Sequence, residues 1–92
     1  MGHTAREKTK LIARVRRIRG QVEALERALE TEAGCAQTVQ LIASIRGAIN
    51  GLLAEVVEDH IRVHLVDPAR ERSTARANAA GDLIDVVRAY FK

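Results

Sequence analysis

The apolar residues of the first third of the chain repeat at the spacing of a helix that packs along one seam. Steps of four and three residues alternate, as in a heptad repeat. The seam positions are Leu11, Val15, Ile18, Val22, Leu25 and Leu29. Thr4, followed three residues later by Glu7, has the pattern of a capping box, which places the start of the helix at about Thr4. The helix is expected to end at a turn over residues 31–34.

A second helix is predicted from about Cys35 to about Leu65, and its apolar residues cover more than half of its circumference. They include Val39, Leu41, Ile42, Ile45, Ile49, Leu52, Leu53, Val56, Val57 and Ile61. A helix with so wide an apolar surface has more than one packing partner. One partner is the first helix, antiparallel across the short turn. Gly47, Ala48 and Gly51 are small enough for another backbone to approach closely there.

The rest of the chain predicts one more helix, which is short. Asp67-Pro68 ends the second helix, and residues 69–78 are polar and charged, as in a linker or a loosely helical stretch. The apolar residues that mark the third helix are Leu83, Ile84, Val86, Val87, Tyr90 and Phe91. Lys92 suits its C-terminus. The expected fold is a single all-α domain over residues 1–92, with two long antiparallel helices and a short C-terminal one.

The length and composition indicate self-association. With 92 residues, two long helices and a short one bury little surface by themselves, and chains of this size often need a metal or a partner copy. We therefore expect a dimer or a dimer of dimers.

One Cys excludes a disulfide scaffold and a Cys-rich zinc finger. No uninterrupted apolar run approaches the ~18 residues of a membrane span, and no signal peptide is recognisable, which favours a soluble, cytoplasmic protein.

Four residues have the chemistry of transition-metal ligands. His60 and His64 are four apart on the second helix, so their rings share a face, and Cys35 falls on the same stripe at ~100° per residue. However, 25 residues separate Cys35 from His60, about 37 Å along one helix at ~1.5 Å per residue. One chain therefore cannot bring them to one ion. Each of these residues also has a plain structural interpretation, as a small buried thiol or as half-buried helix residues.

Two copies of the second helix, packed antiparallel about a two-fold axis near residues 47–50, would bring Cys35 of one copy to His60 and His64 of the other. Such a dimer holds two equivalent sites. His3 lies near the same end if the first helix runs back along the second, and His3 and the α-amino group are candidate further ligands. A thiolate with imidazoles suits Ni(II), Co(II) or Zn(II) better than Mg(II) or Ca(II).

Positive charge is concentrated at the start of the chain. The net charge is +3, but residues 1–20 carry seven Lys or Arg and one acid. Arg6, Lys10, Arg14 and Arg17 fall on one side of the first helix, and no acid of that helix lies at matching spacing. The charges of this basic stripe are therefore expected to be unpaired, which suits a phosphate backbone, although a solvated helix face explains the charge equally well. No second helix has the spacing of a helix-turn-helix.

The sequence resembles the CsoR/RcnR/FrmR family of metal- and aldehyde-responsive repressors over nearly its whole length. The resemblance rests on RVRRIRGQVEALERALE (14–30), LIASIRGAINGLLAEVVEDHI (41–61), Cys35 and the final RAYFK. It implies an all-α homotetramer that binds operator DNA when ligand-free and is released when an effector binds at the helix-2 interface. It also implies that Arg14 and Arg17 contact DNA. We expect Arg6 and Lys10 to contact DNA as well, because they lie on the same basic stripe.

The same resemblance bears on the effector. A set of His3, Cys35, His60 and His64 is similar to that of the RcnR-type nickel and cobalt sensors, which implies Ni(II) or Co(II), with Zn(II) as an alternative, and derepression of a metal-efflux gene. The absence of a second Cys argues against copper and persulfide sensing. The first helix is closer to the formaldehyde-sensing branch, so a formaldehyde-responsive repressor that uses Cys35 and an N-terminal amine is the alternative.

A third possibility is a metal-storage or structural helical oligomer with no role on DNA, against which the basic stripe argues. An enzyme is not expected, because the sequence has no paired carboxylates on an apolar face, no phosphate-binding loop and no Ser/His/Asp arrangement.

Overall fold

Three α-helices and one π-helical turn make up the part of the chain that the structure, a computed structural model, describes, namely residues 5–90. Helix α1 covers Ala5–Glu30, α2 covers Cys35–His60, and α3 covers Thr74–Tyr90. The π-helical turn over Ile61–Leu65 continues α2. The predicted all-α, three-helix fold is therefore confirmed. The predicted Thr4 cap lies outside the described residues.

The turn between α1 and α2 falls at the predicted residues 31–34. The amide of Ala33 donates to the carbonyl of Ala28 at 2.8 Å, and the amide of Glu32 donates to Leu29 at 3.3 Å. This is the bonding pattern of a Schellman C-cap, in which one residue adopts a left-handed conformation. Glu32 is that residue, with a φ of 54°, whereas Gly34 has a φ of −57°. The position usually taken by glycine therefore holds a glutamate.

Helices α1 and α2 pack antiparallel, as predicted. Gln21 Nε2 donates to Ser44 Oγ at 3.2 Å, and Arg14 Nη1 donates to Glu55 Oε2, so positions that advance along α1 meet positions that recede along α2. The side of α1 that is buried or half-buried includes Leu11, Arg14, Ile18, Gln21, Leu25 and Ala28.

This buried side is rotated from the seam that the sequence predicts. Leu11, Ile18 and Leu25 belong to both, but the other three seam residues, Val15, Val22 and Leu29, remain 47–62% exposed. The apolar stripe of α1 is therefore wide enough to serve two partners. Among the described residues, α2 covers part of this stripe and the rest stays exposed.

The end of α2 is wound more widely than an α-helix, which the sequence pattern does not indicate. The amide of Val66 donates to the carbonyl of Ile61 at 2.9 Å, which is the i to i−5 spacing of a π turn, and Val66 is then extended. The side-chain Oδ1 of Asp67, just before Pro68, accepts a hydrogen bond from the backbone amide of Ala69 at 3.0 Å. The chain therefore turns where the Asp-Pro pair predicts.

Helix α3 begins earlier than expected. The hydroxyl oxygen of Ser73 accepts the amide of Arg76 at 3.4 Å, and the Ser73 carbonyl accepts the amide of Ala77, which makes Ser73 an N-cap. Residues 74–78 are therefore helical, and the predicted linker is confined to the residues before Ser73. Helix α3, with 17 residues against 26 in each of α1 and α2, is the expected shorter helix, and a serine cap and alanine-rich polar turns extend it toward its N-terminal side.

Buried side chains are few in the described residues, and a cluster of them lies where α3 meets the end of α2. Ile61, Ile84 and Val87 form this cluster, and Ala54 and Val57 pack against it. Many large apolar residues of α1 and α2 stay exposed instead. Such a surface on a small chain is characteristic of an association face.

The continuous helix over Cys35–Leu65 is long and apolar enough to cross a membrane by length and composition alone. The mean hydropathy of an 18-residue window within it is 1.2. Uninterrupted apolar runs in the sequence do not reveal this. The helix bears the ion-paired Glu55 and Glu58 and packs against α1 and α3. Its apolar character is therefore that of a helix with several packing partners.

Candidate metal-binding and nucleic-acid-binding surfaces

The two ends of α2 carry the predicted metal ligands. Cys35 is the first residue of the helix, directly after the turn, and its free thiol is exposed. His60 is the last residue of the helix and is also exposed. Exposed ligands at a helix surface are free to meet a second copy of the chain.

His60 and His64 lie side by side. Their ring centroids are 4.7 Å apart, and the ring planes are tilted by 39°. The π-helical turn therefore keeps the two imidazoles on one face, as the i,i+4 spacing predicts. Neutral imidazole nitrogens at this separation are suitable ligands for a borderline-soft divalent ion.

The protomer does not bring the predicted ligands together. Among residues 5–90, no three His, Cys, Asp or Glu side chains are close enough to hold one metal ion. Cys35 and His60 are separated by the full length of α2, ~1.5 Å for each residue. His3, the predicted fourth ligand, lies outside the described residues.

An exposed apolar band connects the two ends of α2. Its residues on α2 are Val39, Ile42, Ile49 and Leu53, each 43–56% exposed, and α1 also has exposed apolar residues, namely Ile12, Val15, Val22 and Leu29. At ~100° per residue, the α2 residues share a stripe with Cys35. The band and the candidate ligands therefore occupy the same side of α2.

The basic stripe runs along the side of α1 that borders α2. Arg6, Lys10 and Arg17 are exposed, whereas Arg14 is half-buried. Arg14 forms a hydrogen-bonded ion pair with Glu55 of α2, and Lys10 Nζ lies 3.9 Å from Glu55 Oε1. The interpretation of the stripe as unpaired was therefore wrong for Arg14 and Lys10, because the acid that pairs with them lies on the other helix.

A polar cleft lies next to this pair, between α1 and α2. It is lined by Arg14 and Arg17 together with Ile18, Gln21, Ser44 and Ala48. Gln21 Oε1 is buried and accepts no hydrogen bond from the described residues. Two arginines that line a polar cleft, one of them paired with Glu55, give this edge of the chain the character of an anion-binding surface.

Helix α3 is fastened to α2 by ion pairs around Glu58. Arg88 donates to Glu58 at 2.6 and 3.2 Å, and Arg62 donates to the same carboxylate at 3.1 and 3.3 Å. Partial burial raises the pKa of Glu58, but the hydrogen bonds from Arg88 and Arg62 outweigh it, so its pKa lies below the ordinary value of 4.5. The network joins the region of His60 and His64 to α3.

Sequence reasoning missed Glu55, Glu58 and Arg88. The signal for Glu55 was present in the antiparallel register, which places Arg14 opposite residue 51 and so within about one turn of Glu55. The Glu58–Arg62 pair has i,i+4 spacing. Nothing in the sequence pattern indicates that Arg88 contacts Glu58, since that contact depends on how α3 folds back.

Comparison with known proteins matches residues 7–89 to the model of a family described as metal-sensitive transcriptional repressor. The chain is 41% identical to the transcriptional repressor RcnR of Citrobacter koseri, and 50% identical to an uncharacterized protein encoded in the bioA 5′ region of Serratia marcescens, over the full length of both chains in each case. It is similar to the structure of a variant of the formaldehyde-responsive regulator FrmR from Salmonella enterica serovar Typhimurium. The identity is 46% and the TM-score 0.69, over 96% of this chain and 98% of the other.

Proposed function

The chain belongs to the metal-sensitive transcriptional repressor family, and from this premise we propose that it represses transcription until Ni(II) or Co(II) binds. The ligand-free protein binds operator DNA as a homotetramer, a dimer of dimers. Metal binding releases the DNA and derepresses a metal-efflux gene. The protein is a cytoplasmic regulator with no membrane association and no catalytic role.

One observation supports this proposal above the others: the candidate ligands lie at opposite ends of one exposed side of α2. Cys35 and His60 are too far apart to share an ion within a protomer, yet the apolar band between them is uncovered. Burial of that band against an antiparallel copy would remove apolar surface from water at about 25 cal/mol per Å². The same association would complete two equivalent sites.

The donor set fits a nickel or cobalt ion. The thiolate of Cys35 from one subunit and the imidazoles of His60 and His64 from another form a borderline-soft set, to which His3 and the main-chain amine would add nitrogen ligands. Such ligands favour Ni(II), Co(II) or Zn(II) over hard cations. Bound metal would supply the differential binding energy that favours one tetramer conformation over another, and a few kcal/mol is sufficient.

The basic stripe supplies the DNA-binding surface. Arg14 and Arg17 are the proposed phosphate contacts, and Arg6 and Lys10 extend the surface toward the N-terminus. Guanidinium groups suit phosphate oxygens, and such contacts make affinity depend strongly on salt. In this account, metal shifts the tetramer to a conformation in which the stripes no longer match the spacing of the DNA backbone.

A formaldehyde-responsive repressor is the second candidate, favoured by the similarity to FrmR. In that case formaldehyde would join the exposed thiol of Cys35 to an N-terminal amine, at Gly2, through a methylene bridge, and its oxygen would leave as water with one proton from the thiol and one from the amine. The FrmR structure is that of a variant with histidine in place of glutamate at its position 64. This chain has His64 in its own sequence, and an imidazole beside His60 adds a nitrogen ligand that suits a metal effector.

Fluorescence anisotropy with DNA from the promoter region of the chain's own gene tests the proposal. Ligand-free protein is expected to bind, and stoichiometric Ni(II) or Co(II) is expected to release the DNA from the wild type but not from Cys35→Ala. Gln40→Ala, on the opposite side of α2, is the matched control and should respond like the wild type. Release by formaldehyde alone would instead support the second candidate. Absence of DNA binding would favour a storage or structural oligomer.

A further inference from the structure

Arg14, the central residue of the basic stripe, points back onto α2. Its guanidinium donates to Glu55, and its side chain is 37% exposed, against 73% for Lys10. Lys10 reaches the other oxygen of the same carboxylate at 3.9 Å. One glutamate of α2 therefore neutralises part of the charge of two stripe residues.

Gly51 leaves room for this arrangement. A Cβ atom built at Gly51 would lie 2.7 Å from Arg14 Nη2, which is closer than nonbonded atoms approach. Any side chain at this position would displace the guanidinium from the groove. The displaced group is the end of a flexible side chain, so the helix backbone need not move. Gly51 lies inside α2, where glycine costs helix stability relative to alanine. The glycine is thus unfavourable for the helix but allows Arg14 to lie against α2.

We infer that Glu55 is a positioning residue that holds Arg14 against α2, partly neutralises Lys10, and competes with DNA phosphates for both side chains. The inference rests on the proposed DNA binding. A phosphate that approaches the stripe meets two cations already paired with a carboxylate, and it is also repelled by that carboxylate. A partly exposed ion pair is weak enough for a polyanion to displace it. Glu55 therefore limits the affinity for DNA without preventing binding.

The experiment measures DNA affinity of the full chain at several salt concentrations for Glu55→Gln and Gly51→Ala. Glu55→Gln removes the competing charge, and Gly51→Ala keeps the charge but moves the guanidinium away from it. Glu30→Gln is the matched control, because it makes the same change in net charge at an exposed position at the other end of α1. Circular dichroism confirms that each variant retains its helical content.

Glu55→Gln is expected to bind about threefold to tenfold more tightly at ~0.1 M salt, with the slope of log K against log salt steeper by about one. Gly51→Ala should change affinity and slope in the same direction, and Glu30→Gln should change the slope little. Equal affinity and slope for wild type and Glu55→Gln would overturn the inference while leaving the proposed function intact. Weaker binding by Glu55→Gln would also overturn it, since Glu55 would then orient Arg14 toward DNA. Absence of binding by all variants and the wild type would overturn the proposed DNA binding itself.

Discussion

Cys35 and His60 are the first and last residues of the same helix, and both are exposed. A metal site that contains both therefore has to be built from two chains. This requirement links metal binding to assembly, because a ligand that bridges two subunits binds only the associated state and stabilises it. The exposed apolar band of α2 is the surface through which the association is expected.

Introducing a charge into that band is expected to disrupt the assembly. Ile49 is 48% exposed in the protomer and lies midway along the band. Ile49→Asp would bury a carboxylate in the proposed interface, which we expect to weaken association by at least ~100-fold. Sedimentation velocity checks the result, with Gln40→Glu on the opposite side of α2 as control. If Ile49→Asp sediments like the wild type, α2 does not associate through this band.

Two neighbouring arginines, one inside the basic stripe and one outside it, are expected to differ in their effect on DNA binding. Arg17 belongs to the stripe, whereas Arg19 lies on the other side of α1, in line with Glu23. Arg17→Gln is expected to weaken DNA binding and reduce the salt slope by about one, because one phosphate contact is lost. Arg19→Gln, which has the same change in charge, should leave the slope nearly unchanged. Equal effects of the two changes, measured by anisotropy at several salt concentrations, would indicate only a general attraction between charges.

Substitution of His64 is expected to show whether a metal ion or formaldehyde releases the DNA. The imidazole lies 4.7 Å from that of His60, centroid to centroid. His64→Glu should abolish release of DNA by Ni(II) or Co(II) but spare release by formaldehyde, since the aldehyde reaction needs only a thiol and an amine. His64→Gln controls for the added negative charge. A metal response that survives in both variants would remove His64 from the ligand set.

The Glu58 network is expected to make stability depend on pH in the acid range. Arg88 and Arg62 hold the pKa of Glu58 below 4.5, so the folded state prefers the ionised form. The stabilisation is fully present above pH 4.5 and is lost as the pH falls through the lowered pKa of the folded state. Glu58→Gln should reduce the free energy of unfolding by on the order of 1 kcal/mol at neutral pH.

Urea denaturation of both proteins at pH 7 and near pH 3 measures the difference. The difference in stability between the two proteins should shrink toward the acid end, as Glu58 becomes protonated. A difference that persists unchanged to pH 3 would mean that packing, not charge, accounts for it.

The sequence predicts most of the fold because its strongest signals are local. The heptad spacing of α1, the turn at 31–34 and the break at Asp67-Pro68 all depend on near neighbours. The start of α3 was missed because Ser73 caps the helix without the acidic residue of a capping box. The Glu32 turn conformation was missed because glycine usually marks it.

The candidate site also has some features that local sequence patterns predict and others that depend on how the helices pack. The pairing of His60 with His64 follows from helix geometry, and the separation of Cys35 from His60 follows from helix length. The contact of Glu55 with Arg14 was missed because the basic stripe was considered on α1 alone, without its antiparallel neighbour. The contact of Arg88 with Glu58 depends on how α3 packs, which local patterns do not determine.

Co-expression of two complementary variants tests the central claim most directly. Cys35→Ala lacks the thiol, and His60→Ala/His64→Ala lacks the imidazoles. If the site is shared between subunits, a mixed dimer holds one intact site and one that lacks every substituted ligand. Anaerobic titration of the purified mixed protein with Co(II) should then restore the near-ultraviolet sulfur-to-cobalt charge-transfer absorbance at about half of the wild-type intensity for each dimer. Neither variant alone should show it. No absorbance in the mixed dimer, with the band present in the wild type, would contradict a metal site built from two chains.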